Sequence, residues 1–312
     1  MSSVSKVIFN LALVLLSTGG SLRATSILSV GDFNLFVFGN LTQANTDVQG
    51  RVAVGGTASV TNFGIGTSLS PDPSRLDLEV GGSLSWTNGQ LFNGSGIYGG
   101  SAALTSVGVP NGTITNVVPN INFAQVKTEE TNLSAYLAGL SAITATATPW
   151  GALTLTGTNA SLNVFNVSAG VLSGINTFTF NVPTTSTVIV NIAGATNSLQ
   201  NAGMNLNGLS KTQVIYNFYE ATALTVQGIS VQGSILAPNA TLNFNNGNIE
   251  GQVIVNNLLG GGETHNYIFN GTIPTGNIGT MDPSAVPEPS TAFAGVILVA
   301  MGAWLRQRRK LN

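Results

Sequence analysis

Short strand-like runs punctuated by glycine and asparagine constrain this chain more than any other feature. Apolar residues recur, largely at alternate positions, in Phe33–Phe38, Val52–Val54, Leu153–Thr156, Phe178–Val182 and Thr187–Ile192. That spacing is the signature of short strands. Glycine and asparagine both tolerate the left-handed backbone that tight turns between such strands require. A unit of apolar, any residue, Gly, polar, apolar is repeated: Val48-Gln49-Gly50-Arg51-Val52, Val80-Gly81-Gly82-Ser83-Leu84, Val231-Gln232-Gly233-Ser234-Ile235, Ile249-Glu250-Gly251-Gln252-Val253 and Phe269-Asn270-Gly271-Thr272-Ile273. The last three start 18 and 20 residues apart. That matches one coil of a three-sided β-solenoid, whose coils stack at about 4.8 Å. A single coil cannot bury its own apolar residues, whereas stacking places like side chains over one another in a continuous core. A β-sandwich with glycine turns also repeats strands at short intervals and stands as the alternative.

One segment departs from the strand pattern. Pro119 precedes it, Asn122 is placed to cap it, and Gln125 stands three residues on, as in a capping box. Phe123, Val126, Leu133, Leu137 and Leu140 recur at three- and four-residue spacing, with Glu130 interrupting the stripe. The pattern predicts a helix over about 122–142, lying along one side of the solenoid. Thr144, Thr146 and Thr148, before Pro149, return the chain to extended structure.

The two ends read differently from the body. Met1–Lys6 is a short stretch with one cation, Val7–Leu16 is apolar, and Ser17–Ser21 is small and polar. Residues 1–24 are therefore expected to be a secretory signal peptide. Residues 274–285 read as a flexible linker. At the other end Val286-Pro287-Glu288-Pro289-Ser290 is followed by an apolar run over 291–305 and a basic tail over 306–310. Fifteen apolar residues span about 22 Å as a helix, short of a hydrocarbon core of roughly 30 Å. The terminal cations Arg306, Arg308, Arg309 and Lys310 nevertheless point to a membrane segment with a cytoplasmic stop-transfer end. Residues 286–312 resemble the PEP-CTERM sorting signal of Gram-negative bacteria. That resemblance implies recognition through Pro287, Glu288 and Pro289 by an exosortase-type processing enzyme, and export to the cell surface or extracellular matrix.

Between the two signals the charge is low. Arg51, Arg75, Lys127 and Lys211 stand against eleven acidic residues, a net charge of −7 for the body. No basic patch is available to neutralise phosphates, which argues against nucleic-acid binding. The chain has no cysteine, so an oxidising compartment would contribute no disulfide.

The body over 25–273 resembles the choice-of-anchor A domain of bacterial surface proteins. The matching blocks are Phe36–Leu41, Asp47–Gly56, the helix from Asn122, Tyr216–Ala221, Gly233–Ala240, Ile249–Val253, Glu263-Thr264-His265 and Phe269-Asn270-Gly271. A second resemblance, carried by Ile235–Ala240 and Ile249–Val253, is to the closing coils of bacterial ice-binding proteins, which implies a discontinuous solenoid with one long helix alongside. Together these give a mainly β fold: a right-handed β-solenoid with a flanking helix.

Chemistry is sparse. The single histidine, His265, lies in Glu263-Thr264-His265. A zinc site needs three or four ligands, so a coil-end hydrogen bond is the expectation and no metal or cofactor is assigned. Asp77 and Glu79 alternate on one strand and are expected on a solvated face; calcium would require six to eight oxygens. Asp47 and Arg51 flank Gly50 and are expected to pair at the surface. Neither a nucleophile elbow nor a phosphate loop appears, and no catalytic residue is assigned. Three readings follow. The first is a structural or adhesive surface protein held in exopolysaccharide or biofilm by flat faces rich in Asn, Thr and Ser. The second is an ice-binding protein, which requires threonine rows repeated from coil to coil. Thr154-Leu155-Thr156 and Thr144-Ala145-Thr146 supply fragments that the 231–273 coils do not repeat. The third is a polysaccharide-cleaving enzyme, which requires carboxylates gathered in one groove.

Overall fold

Every strand pairing within the sheets of this computed structural model, which describes residues 28–274, is parallel. Parallel neighbours one coil apart are what a solenoid produces and a sandwich does not. The stack is discontinuous. Leu35 pairs with Val253 on one side and with Val52 on the other, so the first coil sits on the last. From that seam residues 33–116 wind outward in one direction. The chain then returns through the helix Phe123–Ala138 and winds back from 143 to 265 until it meets the first coil again. Coil length is uneven: Leu41 lies beside Ala58, Ala58 beside Leu84, and Leu84 beside Ala102.

One face is covered by the helix. Its central strands include Phe33–Val37, Arg51–Val54, Thr187–Ala193, Val214–Asn217 and the start of Ser234–Asn245. Side chains pointing inward, such as Val188, Val190, Val214, Tyr216, Val253 and Val255, form the solenoid core. Those pointing outward, Phe36, Ile189, Ile215, Leu236 and Ile254, form a second core with Val126, Leu133 and Leu137 of the helix. All fourteen are buried; each large apolar side chain so placed contributes about 1.5–3 kcal/mol. An amide ladder fixes the helix along this face. The Asn217 side-chain N–H donates to Ser134 O (2.8 Å) and to Asn191 Oδ1 (2.9 Å). The Ser134 hydroxyl donates to Asn217 Oδ1 (2.5 Å), and Asn191 donates to Leu137 O (2.8 Å). The cap is as expected, with Asn122 Oδ1 accepting from the Gln125 amide at 3.1 Å. The helix ends at Ala138, before Leu140.

The glycine repeat marks corners, and it marks two different ones. Gly233 and Gly251 stack at a single corner, where a Cβ on Gly251 would lie 2.4 Å from Gly233 O. Gly50 belongs to the same corner, its amide donating to Asn34 Oδ1 while Asn34 Nδ2 donates to Gly251 O. Gly81 instead stacks between Gly55 and Gly99 at the next corner. The 18-residue step is a true coil, since Val231 pairs with Ile249. The 20-residue step is not: Ile249 pairs with Thr264, and Phe269–Ile273 forms no strand.

Residues 1–24, the membrane segment over 291–305, the sorting residues Pro287, Glu288 and Pro289 and the cations Arg306, Arg308, Arg309 and Lys310 lie outside the described residues. Among the described residues no helix is long and apolar enough to cross a membrane.

Candidate functional site

The second face of the solenoid is open. It is built by eight strand segments in register: Thr196–Gln200, Ala223–Gln227, Thr241–Asn245, Asn257–Gly260, Leu41–Asn45, Ala58–Asn62, Leu84–Asn88 and Ala102–Ser106. At about 4.8 Å per strand the face runs roughly 34 Å along the stack. Alternation divides it cleanly. Leu41, Leu84, Trp86, Leu224, Leu242 and Phe244 point into the core and are buried. Thr42, Ser59, Thr61, Ser85, Asn243 and Leu259 point outward and are exposed.

The outward residues form columns. Thr61, Thr87 and Thr105 stand over one another on three consecutive coils, with Ala44 next in line. Thr42, Ser59, Ser85 and Ala103 make the parallel column beside them. At the edge of the face Ser83 and Ser101 share a hydroxyl contact of 3.1 Å, and the Thr57 amide donates to Asn40 Oδ1. Beyond the seam amides replace the threonines of one column, as Gln200, Gln227 and Asn245, while the other is mixed: Ser198, Thr225, Asn243 and Leu259. No Asp, Glu, Lys, Arg or His occurs in any of the eight segments.

The corner bounding this face needs left-handed backbone. Asn45, Asn62 and Asn88 have φ of 57°, 48° and 54°, and Ser106 has 55°. Asparagine accepts this conformation more readily than other residues with a Cβ. The three side chains continue the ladder outside the backbone: Asn62 donates to Asn45 Oδ1 at 2.7 Å and Asn88 to Asn62 Oδ1 at 3.3 Å. The recurring Thr-Asn dipeptide at 61–62 and 87–88 is the sequence sign of this face. Its uneven spacing hid it from a search for a fixed period.

The third face carries a smaller threonine array. Thr154 pairs with Thr179, Ala152 with Thr177, and Thr156 with Asn181. The following coil places Gly203 and Asn205 there, so the array ends after two coils. Thr144, in the other expected fragment, lies on the helix-covered face beside Asn166.

Charged residues gather elsewhere, chiefly around the seam. Arg51 does not pair with Asp47. It bonds Asp32 and lies 3.5 Å from Glu79, while Asp47 accepts from Thr67. Asp77 and Glu79 are not solvated. Both are buried, Asp77 held by Arg75 at 2.6 Å. Burial pushes the Glu79 carboxyl up to about 7, against the pull of Arg51. Glu130, on the buried side of the helix, is likewise pushed up to about 7 by burial, with the Ser29 hydroxyl donating to it at 2.9 Å. His265 makes coil-end contacts, 2.8 Å to Glu250 and 3.2 Å to Glu263, and Lys211 lies 2.6 Å from Glu250. Asp32, Asp77, Glu79, Glu250 and Glu263 lie beside basic side chains, and Asp47 and Glu130 accept from hydroxyls. Among the described residues no group of three or more ligating side chains is placed to hold a metal ion. A shallow uncharged pocket of about 270 Å³ lies at a corner between Ser161, Thr185, Thr187, Gln213 and the segment Asn270–Thr272.

Comparison with known proteins adds a family. The model of the family described as "Putative Ice-binding-like adhesive domain" matches residues 27–266. A search of curated proteins returns no match. Solved structures similar to this one include an ice-binding protein of the Antarctic ascomycete Antarctomyces psychrotrophicus, 12% identical, covering 80% of this chain and 100% of that chain with a TM-score of 0.35. An ice-binding protein from an Antarctic biological consortium is 13% identical over 84% of this chain and 96% of that chain, with a TM-score of 0.34. The Shewanella frigidimarina ice-binding protein domain is 13% identical over 80% and 98%, with a TM-score of 0.31.

Proposed function

We propose, because the chain belongs to the family of ice-binding-like adhesive domains, that its open face adheres to an extended, uncharged, hydrogen-bonding surface, with ice the first such surface to consider. One observation carries the reading: eight registered strand segments present hydroxyls and amides outward and contain no charged residue. A charge on a contact face keeps its own hydration shell and must be desolvated on docking. Small hydroxyls on a rigid sheet lose little side-chain entropy and repeat at the spacing of the backbone. The coils from Thr42 to Thr105 hold the regular hydroxyl columns and are the part best suited to a crystalline surface. Thermal hysteresis and ice partitioning of the chain test this directly. Activity that disappears when Thr61, Ser85 and Thr87 are each replaced by lysine supports it; activity that survives the replacement does not.

A second reading takes exopolysaccharide as the surface, giving a structural or adhesive role in a matrix or biofilm. The amide-rich half, with Gln200, Gln227, Asn243 and Asn245, favours it, since side-chain amides donate and accept at once and suit sugar hydroxyls. Binding of the chain to uncharged polysaccharide, without thermal hysteresis, selects this reading over ice. Both readings place the domain outside the cell. Export through residues 1–24, and exosortase processing at Pro287-Glu288-Pro289 with Arg306, Arg308, Arg309 and Lys310 holding the precursor in the inner membrane, are part of the proposal. Mass spectrometry of the mature C-terminus tests the processing step: a chain ending near residue 286 supports it, and a chain ending at Asn312 counts against it.

A further inference from the structure

We infer that two copies of this chain join end to end through Ala102–Thr105, the open-face part of the strand Ala102–Gly108, pairing edge to edge about a two-fold axis. This strand closes the stack on the 33–116 side. Leu84–Leu91 pairs with one edge of it, and no described strand lies along the other. Residues 101–106 are exposed throughout, because no described coil covers them. Leu104 stands in line with the buried Trp86 yet is 42% exposed, for the same reason.

An open edge presents a row of unpaired main-chain N–H and C=O groups, and proteins commonly blunt such edges with charges, proline or a covering element. Among the described residues none of these guards Ala102–Thr105, and the left-handed Ser106 turns the chain only beyond it. No charged residue occurs between Glu79 and Lys127, and the nearest proline, Pro110, lies beyond the strand. The complement of a bare strand edge is another strand, and this edge carries nothing that would repel its own copy.

The opposite end of the rod decides the geometry. There the short helix Ala169–Ser173 packs on Thr196–Gln200, the first strand of the open face. On this face a second copy therefore finds a helix instead of a strand edge, and head-to-tail growth along the open face is blocked. Edge-to-edge pairing of two Ala102–Thr105 segments is isologous and closes at two copies. It also sets two open faces in one plane and doubles the uncharged area. The inference rests on the edge alone and stands whether or not that face is adhesive.

Sedimentation and light scattering of the full chain over a concentration series test it. The expected result is a twofold rise in mass that saturates at two copies and is absent in Leu104→Lys, while Thr225→Lys, in the middle of the same face, still dimerises. The chain has no cysteine, so Ala103→Cys and Thr225→Cys each carry a unique thiol. Oxidation should link Ala103→Cys into a dimer and leave Thr225→Cys monomeric, which keeps the test open should Leu104→Lys fold poorly. A single mass at all concentrations with equal cross-linking of the two thiol variants would overturn the inference. So would a dimer unaffected by Leu104→Lys, or mass that grows beyond two copies.

Discussion

The helix-covered face and the open face are made by the same coils, stacked in the same registers, yet their outward residues differ in kind. On the first, Phe36, Ile189, Ile215, Leu236 and Ile254 meet a helix. On the second, Ser59, Thr61, Ser85 and Asn243 meet solvent. The inward residues are largely apolar on both, Gln43 being an exception on the open face, so the core does little to distinguish them. A coil's fold is set by what points in, and its use by what points out. The helix-covered face is spent on stability and leaves the other free for contact.

The comparison breaks most easily on the covered side. Ile215→Asp places an unpaired carboxylate between sheet and helix; loss of cooperative folding is expected by circular dichroism. Ile215→Ala should cost about 2–5 kcal/mol in denaturant unfolding. On the open face Thr225→Ala is expected to stay within about 0.5 kcal/mol.

The next effect concerns Glu130. Its folded value near 7 lies above the ordinary value of 4.5, so between those limits the folded chain holds more protons than the unfolded one. Stability is therefore greatest below about pH 4.5 from this group, falls as pH rises toward 7, and levels off above. Glu130→Gln should remove this fall, making the protein more stable at pH 8 by up to about 3 kcal/mol. Melting at pH 5 and pH 8 reads both. A wild-type chain with equal or greater stability at the higher pH, and no gain from the substitution there, contradicts it.

Asn217→Leu tests the amide ladder under the helix. It strands Ser134 and Asn191 without their partner and should cost about 1–3 kcal/mol, seen as a lower denaturation midpoint. At the corner the expected change is smaller than at the ladder, though larger than for Thr225→Ala. Asn62→Ala, at φ 48°, should cost about 1 kcal/mol, and Asn62→Gly less, because glycine adopts the left-handed backbone freely.

Much of the architecture was legible in the sequence. Alternation and glycine corners gave a solenoid, and the cap at Asn122 with Val126, Leu133 and Leu137 gave its helix. Thr187–Ile192 reads from the sequence as a strand; that it is covered on both sides, by the solenoid core and by the helix, is visible only in the structure. The candidate site was much less legible. Thr61, Thr87 and Thr105 are separated by coils of unequal length, and only three-dimensional register brings them into a column. Arg51 was read with its near neighbour Asp47, whereas stacking supplies Asp32 and Glu79 from adjacent coils. Asp77 and Glu79 looked solvated because alternation reveals which way a residue points, not what covers it.

The most direct measurement is adhesion of the chain carrying Thr61→Lys, Ser85→Lys and Thr87→Lys, compared with a chain carrying Thr154→Lys and Thr179→Lys on the third face. Ice partitioning and uncharged polysaccharide binding are both read, with circular dichroism to confirm that each variant remains folded. The account predicts that the first set abolishes adhesion and the second leaves it intact. Adhesion that survives on the charged open face, or is lost only from the third, contradicts it.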